Sequence, residues 1–521
     1  MIIKGSIKKG EYYDSVTLMS AVKKLNELNG VHDSAIVMGT KENRSILDAS
    51  GLLLDDFKAS SDNDLLIVVK TETAEQAEKA LSSVGILLQS VRKRDHSGSA
   101  LLPHTLPMAQ KIIPEANLAL ISIAGRYAGD VAMNALEHGL HVMLFSDNVS
   151  LEQEIALKRY AIEHELLVMG PDCGTAIING VPLAFANVVT RGDIGIVAAA
   201  GTGLQEVSCL ISQAGCGISQ ALGTGGRDVK KEVGGLMFIK ALQLLVQDPK
   251  TKLILLVSKP PYLEVLKKIG KLVKKISKPV IGAFLGANKE MVKKYGIHPA
   301  DSLEEAADLA ITFSSGGHVK EVAGRIEKEN KSIKTRAQLE ARKLQKEQKF
   351  IRGLFSGGTF CYEAQLLLKD LKEQVYSNAP IGRSTKLKNS LKSQKHTIID
   401  LGEDEFTVGR PHPMIDYTLR NKRIIEESAD PETAVILLDL VLGYGSNPEP
   451  LTDIIPAIKE AQRSLRKRNR HVVIICSVTG TDADPQNRSV VVKGLEDAGV
   501  IVMKSNAVAS LLAGVIIAKI Q

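Results

Sequence analysis

From Asn117 the chain repeats one unit: a short apolar run, a turn of small residues, an amphipathic stretch, then the next apolar run. NLALISIAG leads into YAGDVAMNALEHG, HVMLFSD into LEQEIALKRYAIEHE, and LLVMG ends the first series. After PDCGT the rhythm restarts with DIGIVAAA, LQEVSCLISQAG, ISQALGTGG, GGLMFIKALQLLVQD, KLILLVS, a lysine-rich helix and KPVIGAFLG. A third series holds FCYEAQLLLKDL, HTIIDLG, VILLDLVLG, HVVIICSV and the closing AVASLLAGVIIAKI. Strand and helix alternating in this way build parallel sheets covered by helices, so the fold class is α/β with several doubly wound, Rossmann- or flavodoxin-like domains. With no Trp, ten Tyr and ten Phe in 521 residues, Val, Ile, Leu and Ala must fill the cores, as they do around buried parallel strands.

Breaks in the rhythm mark the boundaries. Residues 1–93 alternate short strands and helices and form a small α/β module for which a ferredoxin-like arrangement is expected. VRKRDHSGSALLPHTLP reads as a linker. Residues 107–190 hold the first open sheet, 191–317 the second and 351–521 the third, which carries the polar insertion SNAPIGRSTKLKNSLKSQK. Residues 318–350 are mostly charged, with one Gly and no Pro, and read as an exposed helical connector.

No apolar run reaches the ~20 residues a membrane helix needs, and MIIKGSIKKG lacks a signal core, so a cytoplasmic protein without membrane contact is expected. Five cysteines form no CxxC pair, which indicates neither a disulfide framework nor a metal site. The net charge of +7 suits anionic substrates. Nucleic acid is not expected, because Lys267, Lys268, Lys271, Lys274 and Lys275 line the solvated face of a helix whose other side is Leu266, Ile269, Leu272, Val273 and Ile276.

Chemistry is expected where a strand ends in small residues and a helix begins. Gly201, Thr202 and Gly203 sit between IGIVAA and LQEVSCL; open amides and the helix dipole there favour an anion. Gly443, Gly445 and Ser446 follow VILLDLV in the same manner. Tight turn geometry alone also accounts for either. GTGGRDV offers Gly225 and Arg227 at a strand end, or only a turn with a surface ion pair. The richest polar cluster runs from Val408 to Arg420, with Gly409, Arg410, His412 and Asp416; two arginines suit a carboxylate or phosphate, and His412 with Asp416 an acid/base pair, or the cluster is only a structural turn held by Arg and Asp. The segment Thr479–Arg488 is a comparable cluster. Cys173 is read as structural, having no histidine nearby in sequence. The chain has no GxxxxGK[ST], no GxGxxG opening a helix, no HExxH and no GxSxG.

The order MGPDCGT, GIVAAAGTGLQEV, GTGGRDV and KPVIGAFLG resembles the CoA-binding and ligase domains of a succinyl-CoA synthetase α subunit. The tail from VILLDLVLGYG resembles the C-terminal domain of its β subunit. With the N-terminal module and the strings FANV, VGRPHPMID, TLRN and VTGTDADPQNRS, nearly the whole chain is similar to the FdrA family. The resemblance implies a CoA-binding-like Rossmann domain over 107–190, ligase-type domains over 191–317 and 351–521, and facing helix N-termini near Gly201 and Gly443 that hold phosphate. It departs from the synthetases in three respects: KPVIGAFLG leads into ANKEMVKKYGIHP rather than the histidine-bearing GHAGA, the phosphohistidine-contacting glutamate falls on Lys259, and no ATP-grasp domain is present.

FdrA likeness implies one subunit of an oxamate carbamoyltransferase in allantoin and purine breakdown, converting oxalurate and phosphate to oxamate and carbamoyl phosphate. On that reading phosphate is a substrate held by the helix starts and Lys259, Arg410 or Arg420 grips the oxalurate carboxylate, and His412 protonates the leaving nitrogen. Gly225, Arg227, Asp416 and Arg488 complete the expected binding residues, with no metal. The alternative is an acyl-CoA synthetase component that binds CoA and needs a separate nucleotide-binding subunit; a third reading is a non-catalytic scaffold. Either enzyme reading expects partner subunits and an oligomer.

Overall fold

The computed structural model describes residues 1–11, 13, 15–94, 103, 105–407 and 410–521. Most of the expected linker, and Val408 and Gly409 of the polar cluster, lie outside the described residues. The chain divides into two compact units, residues 1–115 with 403–412, and residues 116–402 with 413–521.

In the smaller unit, strands Ile2–Lys8, Leu65–Thr71 and Val31–Met38 form an antiparallel sheet in that order. The two outer strands therefore run the same way on either side of the third, which is the split βαβ of ferredoxin-like folds built on three strands. Leu18, Ala21 and Leu25 of helix Ser15–Asn26 and Ala77, Val84 and Leu88 of helix Ala74–Arg94 cover one face. Leu47, Leu52 and Phe57 fill the other.

The larger unit holds three sheets. Leu118–Ile121, His141–Leu144 and Val168–Met169 make a small parallel one. The second has seven strands in the order His298–Pro299, Val280–Phe284, Leu253–Ser258, Arg191–Ala198, Ile218–Gly223, Thr175–Ile178, Val181–Ala184, parallel except for the final hairpin. The third is parallel throughout: Thr385–Lys386, Val375–Ser377, His396–Asp400, Phe350–Phe355, Thr433–Val441, Val473–Thr479, Ile501–Met503. Its strand Thr433–Val441, next to the central one, is buried at every position, as a strand with helices on both faces must be.

In the second sheet the chain leaves Arg191–Ala198 for a neighbour on one side and returns to build the other side; in the third it leaves Phe350–Phe355 for Val375–Ser377 and Thr385–Lys386 on one side, returns through His396–Asp400 beside it and crosses to build the other side. Crevices open beyond the carboxyl ends of strands at such reversals, and ligands bind there in open α/β sheets. The two sheets share one core, in which Leu204, Val207 and Ile211 meet Phe360, Ala364, Val508 and Leu512.

Residues 318–350 differ from the exposed connector expected. Helix Val319–Ala341 forms, but Val322, Ile333 and Ala337 are buried in the shared core with Ile326 packed beside them. These residues recur at helical spacing, so a narrow apolar stripe is hidden among the charges. Among the described residues no helix is long and apolar enough to cross a membrane.

Candidate functional site

Strand Arg191–Ala198 ends in Ala199 and Ala200, and helix Gly201–Gln213 starts at once with Ala200 as its N-cap and no side-chain cap. Leu204 N donates to Ala200 O at 2.9 Å, so the amides of Gly201, Thr202 and Gly203 precede the first helical bond and have no acceptor among the described residues. Strand Phe350–Phe355 passes through Ser356 to Gly357, the N-cap of helix Gly358–Leu367, again without a side-chain cap. Phe360 N and Cys361 N both donate to Gly357 O at 3.0 Å, which leaves the Gly358 and Thr359 amides open. The helices beginning at Leu151, Lys289, Leu303 and Asn506 are, by contrast, capped by Ser150, Asn288, Ser302 and Ser505. The helices beginning at Gly125, Leu236, Leu263, Thr418 and Pro450 also lack a side-chain cap, so it is their meeting, not the missing cap alone, that sets the Gly201 and Gly358 starts apart.

These two starts interlock. A Cβ on Gly357 would stand 2.8 Å from Thr202 Cγ2 and 2.9 Å from its Oγ1, and a Cβ on Gly203 would stand 3.1 Å from Thr359 Cγ2. Each helix therefore lays a threonine on a glycine of the other, and the positive ends of two dipoles meet over five open amides. Lys259 follows strand Leu253–Ser258 and is exposed, with Nζ 5.1 Å over the centroid of the Tyr362 ring. Its charge is felt by the Cys361 thiol in the first turn of the Gly358 helix, although burial is the largest influence and pushes that thiol well up.

Other expected residues are placed elsewhere. The turn at Gly443 is not a helix start, since the following helix begins only at Pro450. Gly443 N donates to Gln486 Oε1 at 3.0 Å, Tyr444 N donates to Ala186 O at 2.9 Å, and a Cβ on Gly443 would meet Ala186 O at 2.5 Å. Gly445 packs on Phe185, and the Ser446 hydroxyl is buried. The start that faces Gly201 is Gly357–Gly358, which corrects the expected pairing with Gly443.

The same seam explains FANV and TDADPQN. Asp484 accepts from Asn187 Nδ2 at 2.8 Å, Val188 N at 2.7 Å and Thr481 N at 2.7 Å. Asn187 Nδ2 also donates to Leu442 O, Gln205 Nε2 donates to Asn187 Oδ1, and Thr481 Oγ1 donates to Val188 O. These strings lock the second sheet to the third. Arg488 belongs to this seam and donates from Nε to Val478 O at 3.0 Å.

Arg420 is fully buried, its Nη1 donating to Asp439 O at 2.7 Å and lying 3.5 Å from Asp439 Oδ1. Asp439 in turn accepts from Ser356 N, Ser356 Oγ and Gly357 N. This places Arg420 behind the Ser356–Gly357 turn, as counter-charge to a buried carboxylate, and corrects the expectation of a fork open to substrate. Arg227 pairs with Glu154 at 2.8 Å and donates to Val149 O, and a Cβ on Gly225 would meet Pro171 O at 2.3 Å, so that loop is tied to the first sheet's domain. Asp416 accepts from Thr418 N and Oγ1. Arg410 is exposed and His412 half-buried on the segment 403–412, which groups with the smaller unit, whereas Asp416 and Arg420 belong to the larger. Cys173 is buried, which pushes its thiol up to about 12, so it stays protonated.

The CoA-ligase family model matches residues 354–516, and that of the AllF heavy metal-associated domain matches residues 1–102. The chain is 42% identical to YahF of Escherichia coli (strain K12) over 100% of its own length and 99% of that protein's. The chain belongs to the FdrA family. It is also 27% identical to subunit alpha 1 of the ADP-forming succinate–CoA ligase of Archaeoglobus fulgidus, over 42% of this chain and 76% of that one. The structure of PH0766 from Pyrococcus horikoshii OT3 aligns with 78% of this chain and 86% of its own, at 15% identity and a TM-score of 0.33.

In this FdrA-family chain the N-terminal module does not fit a thiolate-bound heavy metal. Residues 1–102 contain no cysteine, and no group of three or more His, Cys, Asp or Glu side chains converges among the described residues. The glycines near the first sheet also have packing duties: a Cβ on Gly125 would meet Asp147 O at 2.0 Å, and one on Gly129 the Gln153 side chain at 2.7 Å. Gly357, Gly358 and Thr359 were legible in SGGT as a strand ending in small residues before a helix, the same signal as AAGTG.

A buried acidic group braces the site from behind. Glu206, on the Gly201 helix, accepts from Thr479 Oγ1 and from Asn506 N, the first residue of the last helix. Glu363, on the Gly358 helix, accepts from Leu303 N at 2.8 Å and Asn506 Nδ2 at 2.7 Å. Burial raises both carboxyls, Glu363 to about 7.

Proposed function

We propose that the paired helix starts hold the phosphate of an anionic substrate, with Lys259 as its counter-cation, in a cytoplasmic oxamate carbamoyltransferase to which this chain contributes one subunit. A phosphate oxygen attacks the ureido carbonyl of oxalurate, the carbonyl carbon–nitrogen bond breaks, and the departing oxamate nitrogen takes up a proton, leaving carbamoyl phosphate. The open amides would stabilise the charge that gathers on the oxygens during attack; donors of this kind are worth ~3 kcal/mol each when removed. The observation that carries the reading is the interlock of two helix starts with five uncapped amides, with Lys259, which has no carboxylate partner among the described residues, over the ring of Tyr362 on one of those helices. No histidine lies in the segment 285–297 after strand Val280–Phe284, so phosphate is read as a free reactant.

A second reading is favoured by the CoA-ligase match over 354–516: an acyl-CoA synthetase component that binds CoA and works with a nucleotide-binding subunit. Calorimetric titration separates the two. Binding of carbamoyl phosphate, lost in Lys259→Ala, without binding of CoA supports the transferase; CoA binding alone supports the synthetase and overturns the first reading.

A further inference from the structure

Three arginines of the larger unit expected to bind substrate are already engaged: Arg227 with Glu154, Arg420 with Asp439 and Arg488 with Val478 O. Lys259 has no carboxylate partner among the described residues, and its Nζ is placed by one neighbour, the face of Tyr362. An exposed lysine otherwise samples many rotamers, and confining it before an anion arrives lowers the cost of binding. Tyr362 is well suited to that task. It lies one turn into the Gly358 helix, and side chains there lean toward the helix N-terminus, here toward the open Gly358 and Thr359 amides. The ring is itself held: it is half-buried, and its hydroxyl is 3.7 Å from where a Cβ on Gly286 would be. Gly286 has φ +83°, and Leu366, one turn further along the same helix, crowds the same position at 3.2 Å.

We infer that Tyr362 is a positioning residue, whose ring seats the Lys259 ammonium beside the first turn of the Gly358 helix so that lysine and amides act on one anion. The inference rests on the reading of the paired helix starts as an anion site. Because the seat is the ring face, a phenyl ring provides it as well as a phenol, whereas an aliphatic side chain of similar bulk does not.

The test uses the full chain and two probes, inorganic phosphate and carbamoyl phosphate, titrated into wild type, Tyr362→Phe, Tyr362→Leu, Lys259→Met and the double variant Tyr362→Leu/Lys259→Met. Tyr362→Phe should bind within about twofold of wild type, and Tyr362→Leu roughly three- to fivefold more weakly. In the Lys259→Met background Tyr362→Leu should change nothing further. Equal weakening by Tyr362→Leu in both backgrounds, or no weakening in either, overturns the inference while leaving the anion site standing. Absence of binding of both probes to wild type removes the site and the inference together. A ligand-free readout stands beside these: in carbon-13 lysine spectra one ε-methylene should be shifted upfield by the ring, and be lost in both Lys259→Met and Tyr362→Leu. A wild-type spectrum without such a signal also overturns the seat.

Discussion

Gly357→Ala tests the contact on which the site is built. Gly357 has φ −108°, open to any residue, so the substitution adds volume without backbone strain. The new Cβ would lie 2.8 Å and 2.9 Å from the branches of Thr202 and 3.0 Å from Phe360 Cδ2. Favourable carbon contacts sit near ~3.5–4 Å, so the helix starts must part by about half an ångström or more. Thr202 cannot simply turn away, since rotation about χ1 exchanges one branch for the other, and the Phe360 ring is fully buried. Overpacking of this kind costs ~1–3 kcal/mol. A loss of ~2 kcal/mol corresponds to a fall in thermal midpoint of roughly 2–3 °C for a unit of this size, at ~2.1 cal/mol/K of unfolding entropy per residue. Phosphate affinity should fall in parallel as the amides separate. Thr202→Ala removes both close branches, so adding it to Gly357→Ala should recover most of the midpoint. A neutral Gly357→Ala, or a loss that Thr202→Ala does not relieve, would refute the interlocked arrangement.

Arg420→Met should leave Asp439 buried without its counter-charge and cost ~3–5 kcal/mol; thermal unfolding checks this, and a fully stable variant that only loses substrate binding would restore Arg420 as a substrate ligand. Asp484→Ala should strip the acceptor from Val188 N and Thr481 N, and hydrogen exchange should show both amides opening faster while those of strand Leu253–Ser258 stay protected. Glu363 has its folded value raised from the ordinary 4.5 to about 7, so its contribution is full at acid pH and is lost as pH rises through that range, by about 3 kcal/mol in all. The free energy of unfolding should therefore fall by roughly that amount between about pH 4.5 and pH 7, with the thermal midpoint falling over the same range, and Glu363→Gln should flatten the slope; an unchanged slope in the variant assigns the titration elsewhere.

Parallel sheets were readable because the signal is long and redundant: VILLDLV and HVVIICSV are apolar without interruption, and each is bounded by small residues and a helix pattern. Helix Val319–Ala341 shows the limit. Its composition is that of a solvated connector, and the stripe Val322, Ile326, Ile333 and Ala337 is too sparse to outweigh the charges until the partner helix Asn506–Ile520 is known to lie opposite it. The fates of Arg420 and Arg227 were illegible for a similar reason. An arginine near a strand end suits a substrate carboxylate as well as a protein one, and the choice is made by Asp439 and Glu154, each distant in sequence.

The two glycine turns show which part of the local signal carries information. AAGTG and SGGT each put a residue without a capping side chain, Ala200 or Gly357, at the N-cap, and Ser356 turns its hydroxyl to Asp439, so their amides stay open; GYGS is followed by NPEP, and its helix begins at Pro450. The intervening residues give the Gly443 turn time to fold back, and its amides are taken by Gln486 and Ala186. Topology adds the second condition. The strands Arg191–Ala198 and Phe350–Phe355 each stand between the two halves that the chain builds in their sheets, and crevices open beside such strands in open α/β folds. On the proposed reading, a glycine pair in this chain marks an anion site when the helix starts immediately and the preceding strand is the first laid down in its parallel array; the Gly443 turn, which meets neither condition, forms a docking seam instead.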